Sequence, residues 1–265
     1  MARATSGWLR GFEPPPGRAG PPPGAVRLFC FPHAGGAASA LRPLAQALAG
    51  TLDVLVAQYP GRQDRRLEEP LDDIGTLADA LAAEVAGRAE GPYALFGHSM
   101  GAVLAYEVAR RLAADRGPAA LVLSARGAPG PGPGRHDRLR TDDDIVRAVA
   151  RLGGTTPEVL RDPELREMVM PALRADYRAL GAYAWRPGPP LTVPFTLLVG
   201  DRDPVVDVEQ VERWGGFTTG GTRLHVFGGG HFFLDAHLAE VAGAIVAACR
   251  AGHVSGGVTT GSGPF

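Results

Sequence analysis

The sequence contains no lysine and no asparagine, so its basic side chains apart from histidine are all arginine. Enzymes that form a Schiff base use a lysine amine, and Walker-type phosphate loops also need a lysine. The composition therefore excludes both classes of site. The absence of both residue types indicates a GC-rich coding bias.

Cysteine is scarce, with only Cys30 and Cys249, which lie far apart in the sequence. Their separation does not match metal-ligand spacing, and no pair of histidines has that spacing either. We expect no metal and two buried free thiols in a reducing cytoplasm, with one disulfide as the alternative.

Long hydrophobic runs and strong net charge are also missing. No segment approaches the length that spans a bilayer, and the arginine-containing N-terminus lacks the apolar core of a signal peptide. The net charge is −1, which gives no indication of a nucleic-acid or membrane-surface binder. We expect a cytoplasmic protein that binds neither.

The 265 residues suffice for one large α/β domain or two small ones. Residues 1–24 contain two runs of three prolines and predict a disordered arm outside the core. Residues 252–265 are rich in glycine, serine and threonine and predict a flexible tail. The folded domain is expected to cover residues 25–251.

Within that domain, predicted strands alternate with predicted helices, which is typical of a mostly parallel sheet covered on both faces. Ser39 is expected to cap a helix that ends near Leu48. Spacings of three and four residues predict a further helix with Ile74, Leu77, Leu81 and Val85 on one face. The predicted strands are 26–31, 53–58, 93–97, 119–125, 195–200 and 223–227, and the other predicted helices are 101–114 and 235–250.

Residues 141–184 interrupt the alternation, because they look helical without an intervening strand. Thr141 is followed by three aspartates and predicts a helix start. Pro163 begins a second helix, which we expect to be bent or interrupted at Pro171. Its apolar residues include Leu165, Met168, Val169 and Leu173. A lid over residues of about 130–190 is the favoured interpretation, and a helical excursion that completes the core is the alternative.

The segment Gly97-His98-Ser99-Met100-Gly101 follows an apolar strand and precedes an alanine-rich helix. Glycines at both ends allow the sharp turn of a nucleophile elbow, and the serine then stands at a helix N-terminus that favours negative charge. A plain Gly/Ser turn is the alternative. In this context the pattern predicts Ser99 as a catalytic nucleophile.

A serine nucleophile needs a base that is held by an acid. His231 follows a predicted strand and is the candidate base, while Asp201 and Asp203 follow another. This Ser–acid–His order is that of α/β-hydrolases. Either aspartate could reach His231; the spacing from Gly200 and the stiffening effect of Pro204 favour Asp203.

An oxyanion hole needs two backbone N–H donors. Met100, directly after the serine, is expected to supply one. The loop Phe31–Gly36, which follows the first predicted strand, is expected to supply the other, and Ala34 is the candidate.

In these and other segments the chain resembles type II thioesterases of polyketide and non-ribosomal peptide pathways, members of the α/β-hydrolase superfamily. The resemblance implies hydrolysis of acyl groups from the phosphopantetheine arm of an acyl or peptidyl carrier protein. It also implies a helical lid, a Ser99–His231–Asp203 triad, and Ala34 and Met100 as oxyanion donors. No cofactor is expected, and we expect a monomer. The matching segments are Phe31–Gly36, Tyr59–Arg62, Gly97–Gly101, Leu173–Tyr177, Gly200–Pro204 and Gly230–Leu234.

The sequence departs from the family at two places, which bear on acyl-chain preference rather than on the reaction. The first is at residues 125–127. Ala125 stands where the family tends to have glycine, and Gly127, after Arg126, stands where the family tends to have a basic residue. Gly181 replaces a frequent acidic residue. A general esterase or lipase and a non-catalytic carrier-protein adaptor are the alternative functions.

Several further side chains are interpreted as structural. His98 is expected to pack, pointing away from the partner of the serine, and His33 to brace the oxyanion loop. The arginines at 62, 65 and 66 are interpreted as solvated surface, with docking of an acidic carrier protein as the alternative.

Overall fold

Eight strands form one sheet in the computed structural model, which describes residues 2–4, 7–132, 134–139, 141–153 and 162–255. Their spatial order is β1-β2-β4-β3-β5-β6-β7-β8. The strands β3 to β8 are parallel to one another, whereas β2 pairs antiparallel with both β1 and β4. The strands are β1 (Ala2–Ala4), β2 (Leu9–Phe12), β3 (Arg27–Phe31), β4 (Asp53–Ala57), β5 (Tyr93–His98), β6 (Ala120–Ser124), β7 (Phe195–Gly200) and β8 (Thr222–Phe227).

Helices cover both faces of the sheet, which confirms the predicted α/β architecture. On one face α2 and α3 pack together, and all four residues of the predicted α2 stripe are buried there. On the other face α1 packs against α8. The helices are α1 (Arg42–Leu48), α2 (Ile74–Ala86), α3 (Met100–Leu112), α4 (Asp142–Leu152), α5 (Pro163–Ala182), α6 (Val208–Glu212), α7 (Phe233–Ala236) and α8 (Leu238–Ser255).

The prediction of a disordered arm over residues 1–24 is wrong for the two N-terminal strands, β1 and β2. The strand β2 shows this most clearly. Leu9 of this strand is fully buried and lies opposite Ala57 of β4. The proline runs begin only at Pro14, and a strand of four residues is too short to show a clear alternation of apolar and polar residues. At the other terminus, α8 continues to Ser255, so residues 252–255 are helical rather than a tail. Residues 256–265 lie outside the described residues.

The start of α1 also differs from the prediction. A 3₁₀ turn at Ala38–Leu41 comes first, and α1 begins at Arg42 with Pro43 in its first turn. Ser39 caps neither element; its hydroxyl accepts a hydrogen bond from the side chain of Gln63 at 2.6 Å. Proline favours the first helical turn, where its missing N–H has no partner to lose, so the helix begins at Arg42, directly before Pro43.

The predicted helical insertion between β6 and β7 contains α4 and α5. Thr141 forms a reciprocal capping box with Asp144 at the start of α4. Asp162 caps α5, which begins at Pro163 and continues through Pro171 to Ala182. Of the two predicted outcomes at Pro171, the interruption is therefore wrong and the bend stays a prediction; packing of the buried face of α5 outweighs the loss of one backbone hydrogen bond.

Candidate active site

The turn between β5 and α3 places Ser99 at the carboxyl end of a central strand. Ser99 has φ 58° and ψ −116°, a conformation that residues other than glycine rarely adopt. Gly101 is required by close packing, since a Cβ there would lie 1.8 Å from the carbonyl oxygen of Phe31. The strained turn lifts the serine hydroxyl out of the sheet and holds it at the first turn of α3.

Ser99, His231 and Asp203 form a continuous hydrogen-bonded line. Nε2 of His231 lies 2.9 Å from the hydroxyl of Ser99, and its Nδ1 lies 2.7 Å from Oδ2 of Asp203. The side chains of His231 and Asp203 are both buried. A carboxylate accepts hydrogen bonds only, so the arrangement requires the proton on Nδ1 and leaves Nε2 free to accept the serine proton.

The two candidate carboxylates after β7 have different partners. Oδ1 of Asp203 accepts a hydrogen bond from the backbone N–H of Val205 at 2.9 Å, while its Oδ2 is bound to His231. Oδ1 of Asp201 instead accepts from the backbone N–H of Gly229 at 2.7 Å. Asp201 therefore holds the loop that carries His231, and Asp203 contacts the imidazole.

The two predicted oxyanion donors belong to different segments, one directly after Ser99 in the chain and one that lines the same cavity. Met100 is the first residue of α3, where backbone N–H groups have no partner within the helix. Ala34 belongs to the loop after β3, and it lines the same cavity as Ser99. Both backbones are thus placed at the edge of the sheet where the serine hydroxyl emerges.

A cavity of about 450 Å³ opens at Ser99 and His231. Both helices of the insertion line it, α4 through Ala148 and Leu152, and α5 through Tyr177. The insertion therefore covers the site, which confirms the predicted lid. A helical excursion that only completes the core would not reach this edge.

Polar groups also face this cavity. Arg126 follows β6 and forms two hydrogen bonds with the carboxylate of Asp137, at 2.8 and 2.6 Å. Ala125 precedes it with φ 53°, at the position where the resembled family tends to have glycine. A non-glycine residue in this region carries local strain.

His98 does not point away from the partner of the serine, so that prediction is wrong. Its Nδ1 lies 2.9 Å from the hydroxyl of Ser124, and its ring centre lies 5.3 Å from that of His231. The sharp turn at the elbow removes the alternation that would separate neighbouring side chains in a strand. Burial lowers the pKa of His98 well below its ordinary value.

The loop after β3 contains His33, whose carbonyl oxygen accepts from the backbone N–H of Gly36 at 2.9 Å. Its ring packs edge-on against Phe232 at 4.8 Å. Burial is the main cause that lowers the pKa of His33 to about 3, and the nearby His231 and Arg62 lower this pKa further. His33 is thus neutral near pH 7, and its backbone closes the turn that carries Ala34.

The interpretation of the arginine cluster as solvated surface is wrong for Arg62 and Arg65, which are 5% and 8% exposed. Arg65 pairs with Glu68, and Arg62 pairs with Asp176 of α5. Sequence reasoning found no role for Asp176, although the segment Leu173–Tyr177 carried part of the family resemblance. Among the described residues, no group of three or more metal-ligating side chains occurs.

The fold and this arrangement of serine, histidine and aspartate define an α/β hydrolase. A family model described as Thioesterase domain matches residues 26–249, and the chain belongs to this family.

Named relatives agree with that membership. The chain is 46% identical to a protein of Streptomyces griseus named "Probable cadicidin biosynthesis thioesterase"; the match covers 88% of this chain and 63% of the relative, less than two thirds of its length. It is 41% identical to "Thioesterase PikA5" of Streptomyces venezuelae, over 88% of this chain and 82% of that one. The solved structure of the type II thioesterase BorB from the borrelidin biosynthetic cluster superimposes with a TM-score of 0.84 at 44% identity, covering 94% of this chain and 100% of that chain.

Proposed function

We propose that this protein is a thioesterase that removes acyl groups from the phosphopantetheine arm of acyl or peptidyl carrier proteins in polyketide or non-ribosomal peptide biosynthesis. The observation that carries the proposal is the hydrogen-bonded line from Ser99 through His231 to Asp203 at the covered cavity. The relatives named above support the pathway. Editing of stalled chains and release of product are both compatible with this reaction.

In the proposed mechanism, Ser99 attacks the thioester carbonyl while Nε2 of His231 takes its proton. The thiol leaves with that proton, and an acyl-serine remains. His231 then takes a proton from water as the water oxygen attacks the acyl carbonyl. It gives this proton to the leaving oxygen of Ser99, so that the acid is freed and the serine hydroxyl is restored. Asp203 keeps the proton of the imidazole on Nδ1 and stabilises the imidazolium.

The negative charge on the carbonyl oxygen is proposed to be bound by the N–H groups of Ala34 and Met100. The chemistry proposed here uses only these groups, and the substrate itself brings the phosphopantetheine. The proposed partner is a carrier protein of the cytoplasm. In the described part of the chain, no helix combines the length and hydropathy that crossing a bilayer requires.

Substitution of the nucleophile tests the proposal. We expect Ser99→Ala to lower turnover of acyl carrier proteins by roughly 10⁴-fold or more, because loss of a triad member removes the covalent route. Ser39→Ala, which removes an exposed hydroxyl far along the chain from the elbow, is the matched control and should retain turnover. Near-normal turnover by Ser99→Ala, or an acyl group trapped on another residue, would refute the assignment.

Two further measurements separate the alternative functions. A fluorophosphonate should label the wild-type chain at Ser99, whereas an adaptor without catalytic activity would not be labelled. The ratio of kcat/KM for an acyl-pantetheine thioester to that for the matching oxygen ester should exceed one. A preference for the oxygen ester would favour a general esterase.

A further inference from the structure

A buried carboxylate of the lid contacts the loop that carries a proposed oxyanion donor. Asp176 lies in α5 and is 1% exposed. Its Oδ2 accepts a hydrogen bond from the backbone N–H of Gly35 at 2.6 Å. Gly35 follows Ala34 directly, so the lid helix holds the peptide plane adjacent to the proposed donor.

The same carboxylate oxygen is paired with Arg62, which is itself fixed by the loop after β4. Nη1 of Arg62 donates to the carbonyl oxygen of Pro60 at 2.7 Å, and its guanidinium lies 5.0 Å from the ring centre of Tyr59. The hydroxyl of Tyr59 in turn donates to the carbonyl oxygen of Pro32 at 3.1 Å. The oxyanion loop is thus held at Pro32 by one side chain and at Gly35 by another.

The lid helix also packs directly on this loop. Gly35 has φ 76°, and a Cβ placed there would lie 2.4 Å from Cδ2 of Leu173 in α5. The backbone of the loop and the inner face of α5 are therefore in contact at this point. A shift of α5 would move the Gly35 amide together with the carboxylate that binds it.

A role in stability alone is a poor explanation for this buried pair. Nε of Arg62 and Oδ1 of Asp176 have no hydrogen-bond partner within the described ranges. Burying two charges and leaving such atoms unpaired is costly, and apolar residues of similar volume often serve stability as well or better. Apolar residues could replace neither the hydrogen bond from the N–H of Gly35 nor that from Arg62 to Pro60, and of these two only the Gly35 bond reaches the oxyanion loop.

We propose that Asp176 is a positioning residue, which orients the Ala34 N–H toward the oxyanion by accepting the N–H of Gly35 and so joins the oxyanion loop to the lid helix. This inference rests on the proposed function. It assigns Asp176 an effect on the transition state rather than on substrate binding, because the oxyanion forms only as the oxygen of Ser99 bonds to the thioester carbonyl carbon.

A pair of double variants isolates the hydrogen bond from the ion pair. Arg62→Met with Asp176→Asn removes both charges and keeps an oxygen that accepts from Gly35. Arg62→Met with Asp176→Leu removes both charges and the acceptor. Neither variant leaves a buried uncompensated charge, so both should fold, and their thermal unfolding should be checked first.

For acyl-pantetheine hydrolysis, we expect the kcat of the Leu-containing variant to be about 10- to 100-fold lower than that of the Asn-containing variant. The upper end of this range is about the loss in kcat caused by removal of one oxyanion donor. Its KM should change by less than about threefold, since ground-state binding is not affected. A trifluoromethyl ketone analogue of the thioester forms a hemiketal oxyanion on serine. Its Ki should rise by the same factor as kcat/KM falls.

Arg174→Gln is the matched control in the same helix. It breaks an exposed lid ion pair, in which Nε of Arg174 lies 2.7 Å from Oδ1 of Asp142, and should leave kcat and Ki unchanged. Equal kcat values for the two double variants would overturn the positioning role. If Ser99→Ala also kept its turnover, the proposed function would fail as well; if Ser99→Ala were inactive, only the role of Asp176 would be lost.

Discussion

Two aspartates two positions apart after β7 differ in what they contact, and this difference separates their expected roles. Asp203 is buried against His231, whereas the side chain of Asp201 is 47% exposed and binds the Gly229 amide. The roles differ because the side chain of Asp203 points toward His231, whereas that of Asp201 points toward the backbone of the loop that carries His231.

Single changes to asparagine should therefore have different effects. Asp203→Asn should lower kcat by roughly 10⁴-fold, because an amide facing Nδ1 favours the wrong imidazole tautomer. Asp201→Asn should leave kcat within about threefold and mainly lower the melting temperature, because the loop keeps its shape but loses a charge-assisted hydrogen bond. Steady-state kinetics and thermal unfolding of both variants check this.

Each of these two variants serves as the control for the other, since the chemical change is identical. A large loss of kcat in Asp201→Asn together with a small loss in Asp203→Asn would show that the acid has been assigned to the wrong residue.

The lid helices form the next level of organisation, because both of them line the cavity at Ser99 and His231. Ala148 of α4 lines the cavity, whereas Met168 of α5 is 61% exposed. The apolar residues of α5 therefore divide between an inner face, which includes Leu173, and an outer face. Sequence periodicity identified the helix but not which of these side chains reach the site.

A larger side chain in the cavity wall should reduce the space in the cavity and so change the preference for acyl-chain length. Ala148→Phe should lower kcat/KM for long acyl-pantetheines by about 10-fold or more relative to acetyl-pantetheine, because each excluded methylene forfeits apolar contact. A series of acyl chains of increasing length measures the ratio.

Met168→Phe makes a comparable change on the outer surface and should leave the ratio unaltered. If both variants shift the preference equally, the cavity under α4 is not the acyl-binding site.

The strand β2 shows why a short element is missed when structure is predicted from sequence alone. The proline runs after residue 13 dominate the composition of the N-terminal segment, yet β2 pairs with β4 and buries Leu9 completely. Long elements with clear periodicity, such as α2, were predicted well. A four-residue strand has too few positions to show a pattern, and its stability comes from the neighbouring strand.

At the scale of the whole molecule, the buried imidazole of His98 couples stability to pH. Burial lowers its pKa well below the ordinary histidine value of about 6.5. Below that pH the unfolded chain binds a proton at this residue and the folded chain does not. The free energy of unfolding must therefore fall as the pH drops below about 6.5, by up to about 1.4 kcal/mol per pH unit for this group.

Urea unfolding at pH 7.5, 6.5 and 5.5 measures this dependence. His98→Gln cannot take up the proton, so its free energy of unfolding should fall less steeply than that of the wild type between pH 6.5 and 5.5. Parallel slopes for the two proteins would contradict the assignment of a neutral, buried His98. Other acid-sensitive groups contribute to both proteins and cancel in the comparison.

The sequence by itself determined the alternation of strands and helices, the elbow around Ser99, the loop position of His231 and the place of the lid. Each of these depends on residues close together in the chain: a glycine-flanked turn, a helical stripe, a capping box at Thr141. Backbone sterics and apolar periodicity act over such short distances, so a single stretch of sequence is enough to reveal them.

Only the tertiary structure decided which aspartate meets His231, that His98 lies beside that ring, and that Arg62 pairs with Asp176. The last two residues are 114 positions apart, and their contact exists only because the lid helix folds back over the loop after β4. Whether a charged side chain is solvated or buried depends on what other segments cover it. No local pattern records that information, so an arginine-rich turn looks like surface until the packing is known.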